Sequence, residues 1–126
     1  MNVAAIRSGL AADIATVLDR TTAYIPAQVN PPCAFIGGAD INFDDTFEGR
    51  FTAQLPVIVL FSGVEVRSGQ LGIDSIIDDV ADSVTSTLGG AAESAHVLRL
   101  EGYGGSYDVG GTLYIGATLI VEVFAI

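Results

Sequence analysis

Thr112-Leu113-Tyr114-Ile115-Gly116-Ala117-Thr118-Leu119-Ile120-Val121-Glu122-Val123-Phe124-Ala125-Ile126 is the stretch whose reading decides the fold. From Leu113 onward one parity is wholly apolar: Leu113, Ile115, Ala117, Leu119, Val121, Val123 and Ala125. A period of two with one dry face predicts a strand laid on a core. The other parity mixes Thr112, Tyr114, Thr118 and Glu122 with Ile120, Phe124 and Ile126. That is more oil than a solvated sheet face carries, so this strand is expected to meet something on both sides. With no polar tail after it, function is expected in the body of the domain rather than in an appended motif.

Working back from this strand, Leu98-Arg99-Leu100-Glu101-Gly102 reads as its hairpin partner. Tyr103-Gly104-Gly105-Ser106-Tyr107-Asp108-Val109-Gly110-Gly111 reads as a glycine-rich tip between the two. Further upstream, Phe51, Ala53, Leu55, Val57, Val59 and Phe61 share one face of another strand, in which Pro56 points to a sheet edge or a bulge. Cys33 to Gly37 is a short apolar strand, and Asp40-Ile41-Asn42-Phe43-Asp44 alternates as a half-exposed one.

Two helices complete the pattern. Val3, Ile6, Leu10, Ile14, Val17 and Leu18 recur at helical spacing over residues 2–19, and Thr21 and Thr22 end the run. Pro26, Pro31 and Pro32 keep residues 23–32 extended. Ile73, Ile76, Ile77, Val80, Ala81 and Val84 form the stripe of a second helix, with Ser68 as its cap and Gly89-Gly90 as its stop. The order α-β-β-β-α-β-β, with no linker or repeat, predicts one α+β domain over residues 1–126, its mixed and largely antiparallel sheet carrying two helices.

The chain has 126 residues, enough for one domain with a proper core. Half are hydrophobic, only 16% are charged, and the mean hydropathy is +0.53. So few charges suit either a glycine- and alanine-rich domain with a neutral surface or a subunit that hides apolar area in an oligomer. There is no lysine; five arginines face fifteen acids, for a formal net charge of −10. Such a surface repels phosphate and disfavours both non-specific nucleic-acid binding and anionic membranes. The apolar stretches at residues 55–61 and 114–121 are far shorter than the roughly 20 residues of a spanning helix. A lone cysteine, Cys33, excludes an internal disulfide, fits synthesis in a reducing cytoplasm and reads as a small buried hydrophobe.

Sites of chemistry are sought in four places. Asp40, Asn42, Asp44 and Asp45 suggest the start of a calcium loop, but its sixth position is Asp45 instead of glycine and its twelfth is Phe51 instead of Glu. His96, the only histidine, has no flanking nucleophile signature. The glycine-rich stretch leads into a strand, where a phosphate cradle needs a helix N-terminus. Asp74, Asp78 and Asp82 lie on one i,i+4 row of the second helix with Asp79 beside them, as a solvated face or as an acidic lining that receives a basic partner. No catalytic, cofactor or metal site is expected.

The order of elements resembles the tail terminator (tail completion) proteins of long-tailed bacteriophages, especially those of actinobacteria. The resemblance rests on an amphipathic N-terminal helix, the extended Asn30-Pro31-Pro32-Cys33-Ala34 and the acidic Asp40-Ile41-Asn42-Phe43-Asp44. It continues through a helix opened by Arg67-Ser68-Gly69-Gln70 and the closing hairpin with Tyr114-Ile115-Gly116-Ala117. It implies a structural, non-enzymatic virion protein, a six-fold ring of copies of this chain at the head-proximal end of the tail. That ring would stop tube polymerisation and contact the major tail tube protein and the head–tail connector proteins. DNA would pass through an acidic channel without specific binding. On that reading Asp40, Asp44, Asp45, Asp74, Asp78 and Asp82 are candidate channel-lining or docking acids. Gly104, Gly105, Tyr107, Asp108, Ile120, Phe124 and Ile126 are candidate subunit or tube contacts, with residues 63–69 as a further contact loop. A head–tail connector or head-closure subunit shares size and topology. A small acidic oligomeric enzyme or ligand-binding module would instead need a pocket holding His96 or an Asp.

Overall fold

The computed structural model describes residues 2–43 and 51–125. Asp44, Asp45 and Ile126 lie outside the described residues. The elements run α1 (Val3–Ala15), β1 (Thr21–Thr22), β2 (Cys33–Ile36), β3 (Asp40–Phe43), β4 (Phe51–Ser62), α2 (Val66–Ser83), a short 3-10 turn (Leu88–Gly90), β5 (Ser94–Val109) and β6 (Thr112–Ala125). The expected α+β class is what forms, with one more strand than expected. Thr21 and Thr22 do not simply close the first helix, which ends at Ala15; they pair in parallel with Ala34 and Phe35.

One six-stranded sheet holds the order β1-β2-β4-β6-β5, and β3 pairs with β4 beside β2. All pairings except β1–β2 are antiparallel. β4 and β6 form the spine, in unbroken register from Phe51 opposite Ala125 to Ser62 opposite Tyr114. Both helices pack on one face of it. Ile6, Leu10 and Ile14 of α1 and Ile73, Ile77 and Val80 of α2 meet Ala53, Leu55, Val57 and Val59 of β4 and Ala117, Leu119, Val121 and Val123 of β6. The period-two stripe and the two period-3.6 stripes therefore share one core.

Three local expectations change. Pro56 sits in the central strand, not at an edge, opposite Ile120. Its carbonyl accepts from Gly37 N–H (2.9 Å). In an antiparallel strand a residue's N–H and C=O face the same neighbour, so the missing donor of Pro56 points at residues 37–39, where β2 has ended and β3 has not begun. The interruption of the edge partner makes room for a proline in the spine. Ser68 does not cap α2, which starts earlier with Glu65 at the N-cap and no side-chain cap bond. Gly89-Gly90 does not stop it either: Val84 turns extended after Ser83, and the glycines belong to the following 3-10 turn.

Candidate functional site

The helices leave the other face of the sheet open, and the register lays out its side chains in rows, since residues directly opposite one another share a face. Thr52, Phe124 and Ser94 form the first row, and Gln54, Glu122 and His96 the second. Pro56, Ile120 and Arg99 form the third, and Ile58, Thr118 and Glu101 the fourth. Asp40 extends the second row beyond Gln54. A polar band thus crosses the sheet, with Phe124 on one side of it and Pro56 and Ile120 on the other. Within it Gln54 Nε2 donates to Glu122 Oε2 (3.3 Å), and His96 Nε2 stands 3.6 Å from Glu122 Oε1. The His96 ring stacks on Phe124, with centroids 6.4 Å apart. Glu122 is the hub, able to accept from both neighbours at once.

Ile120 is only 9% exposed although no helix covers it, because Pro56 and Arg99 flank it across the strands. Phe124 remains 40% exposed. The excess of oil seen on this parity is therefore partly spent within the sheet and partly presented outward.

The far end of the same face is covered. Cys33, Phe35 and Leu60 form a second small core with Val29, Ile58, Tyr107, Val109 and Tyr114 around it. Two arginines hold the proline-rich segment that supplies Val29. Arg7 donates to the carbonyls of Ala23 and Ile36 (3.2 Å each) and lies over the Tyr24 ring, and Arg20 donates to Asn30 O (3.2 Å). Burial pushes the Cys33 thiol pKa up, as expected of an unreactive core cysteine.

The predicted glycine-rich tip is mostly strand. β5 continues to Val109, and the turn itself is Gly110-Gly111, both at positive φ (62° and 85°), the combination a two-residue hairpin loop demands. Gly111 N–H donates to Asp108 Oδ1 (3.0 Å). Of the four contact candidates placed on the tip, Asp108 alone flanks the turn. Gly105 pairs with Gly116 inside the ladder, and Tyr107 lies across the sheet with its hydroxyl 2.7 Å from Thr118 Oγ1. Gly104 belongs to a break in the register where residues 102–104 oppose Ala117 alone. There Gln70 Nε2 donates to Gly104 O (3.0 Å) and Tyr103 donates to Asp74. Sequence reasoning missed this link, which joins positions 29 residues apart. Residues 63–69 are only partly a loop, since α2 begins at Val66 and Gly69 is buried against Ile115.

The acids fall on opposite sides of the molecule. Asp74, Asp78 and Asp82 are all exposed on α2, over the covered face, while Asp40 is exposed on the open face. The two sets do not converge. Among the described residues no three of His, Cys, Asp and Glu gather as a metal site. A shallow cavity of about 290 Å³ lies between Arg20, Thr21 and Thr22 and the Pro26, Asn30 and Cys33 side; neither His96 nor any of the predicted acids lines it. Among the described residues no helix is long and apolar enough to cross a membrane. No protein-family model matches the sequence, and no curated protein matches it.

Proposed function

We propose that this chain is a structural virion subunit, a tail terminator that assembles as a ring on the head-proximal end of a phage tail tube. The observation that carries the reading is the open sheet face. It presents the exposed Phe124 and the half-buried Pro56 beside the Asp40–Gln54–Glu122–His96 band, a mixture suited to a protein neighbour rather than to water or a small substrate. In the ring this face meets an adjoining subunit or the tube. The exposed Asp74, Asp78 and Asp82 row, on the opposite side, is then left to face the bore or the head-side partner. A chain of net charge −10 without lysine lets DNA move past, because phosphate meets like charge. The ring is six-fold, in keeping with the resemblance in element order, and its neighbours are the major tail tube protein and the head–tail connector proteins.

Native mass spectrometry of the purified protein, with and without isolated tail tubes, tests this. A six-fold assembly, free or on tubes only, is expected. A stable dimer or trimer indifferent to tubes would overturn it.

A further inference from the structure

β5 is the last strand of the sheet, and among the described residues no further strand pairs with its outer edge. It is 16 residues long and exposes Leu98 and Leu100 on either side of Arg99. A long open edge with exposed apolar residues is a template for pairing with another chain. Two breaks interrupt it, between Val97 and Arg99 and between Glu101 and Gly105. The second is the larger, with three residues opposite one, and it is fastened from both faces of the sheet. On the helix side, Tyr103 donates to Asp74, and Gln70 Nε2 takes the carbonyl of Gly104. On the open side, the Tyr107 hydroxyl donates to the carbonyl of Glu101 (3.3 Å) and pairs with Thr118 Oγ1. Gly102 and Gly104 both adopt positive φ (57° and 70°), which turns the backbone out of the strand path.

We propose that this clasped bulge is an edge guard: it holds residues 102–104 out of the ladder and occupies the carbonyls of Glu101 and Gly104, so that a second copy of this chain cannot add β-sheet along β5. The guard acts on the free protein and is independent of the ring reading, which concerns the open face.

Deleting Tyr103 and Gly104 tests it, since Gly102 would then stand opposite Ala117 and Gly105 opposite Gly116, restoring a one-to-one ladder without changing which side chains face the core. The deletion variant and the wild type are compared without tubes, at equal concentrations, by sedimentation and amide hydrogen exchange. Expected is concentration-dependent association beyond the wild-type state, with the β5 amides gaining protection as it proceeds. An association state and a β5 exchange pattern equal to wild type would overturn the guard. Should the deletion fail to fold, the length-preserving double variant Tyr103→Phe with Gln70→Ala decides. Loss of its two bonds should speed exchange across residues 101–105 by about fivefold per bond, with a shift toward association; unchanged exchange would sink the proposal.

Discussion

On the helix-covered side of the sheet, Leu55, Val57, Leu119 and Val121 are sealed beneath α1 and α2; one residue along each strand, Gln54, Pro56, Ile120 and Glu122 look out from the other side. The same twelve-residue register between β4 and β6 serves both faces. Their chemistry differs because the covered face meets helices with apolar stripes of their own, whereas the open face must tolerate water and, on the proposed function, a protein neighbour. The covered face should therefore dominate stability, and the open face should dominate assembly. Each variant below either sharpens that division or breaks it.

The largest effect is expected from Leu119→Ala. The side chain is fully buried between the helices and the spine, so its loss should cost about 2–5 kcal/mol in urea unfolding. A cost near that of a surface change would mean that the helices do not seal this face. Next comes Gly116→Ala, on the open side but beneath Tyr107. The added methyl would lie 2.5 Å from Val59 O and 2.9 Å from Leu60 Cδ2, against backbone that cannot move alone. A loss of about 1–3 kcal/mol is expected, accompanied by loss of the close packing between Tyr107 and the strand. Phe124→Ser should behave in the opposite way. With 40% of Phe124 already exposed, its removal should cost about 1 kcal/mol or less in stability. Retention of the variant on tail tubes should nevertheless fall by more than about tenfold, as for an interface anchor. Wild-type retention would show that the open face is not the contact and break the comparison.

How much of this was legible depends on how local the signal is. β4 and β6 were readable because their alternation is strict and one parity is dry throughout. The stripes of α1 and α2 were readable for the equivalent reason at period 3.6. β5 was legible only over residues 98–102, because its first break shifts the parity by one residue, its second inserts two more, and glycines at positive φ look alike in a bulge and in a turn. Pro56 misled because its tolerance depends on a gap in the neighbouring strand. Exposure of Asp74, Asp78 and Asp82 followed from helical spacing, but their separation from Asp40 by the thickness of the sheet is a fact of topology. Likewise, nothing near Tyr103 in sequence announces Asp74 as its partner.

That last pair gives the smallest expected effect, and it joins the covered side to the edge. Donating to Asp74, and facing the negative charge there and at Asp78, the Tyr103 phenol has its pKa pushed up to about 12, against an ordinary value of about 10. The folded state thus favours the protonated phenol. The bond's contribution to stability is whole below pH ~10 and is lost as pH rises through about 12, where the phenolate would face carboxylates. Because Tyr103 is largely solvated, screening keeps the stability change small, so the titration itself is the better readout. The difference in phenolate absorbance between wild type and Tyr103→Phe should show one ionisation with a midpoint near pH 12. In Asp74→Asn it should fall back toward the ordinary phenol value. A wild-type midpoint near pH ~10 would mean that the clasp is not closed in solution, and it would remove the link by which α2 steadies the bulge of β5.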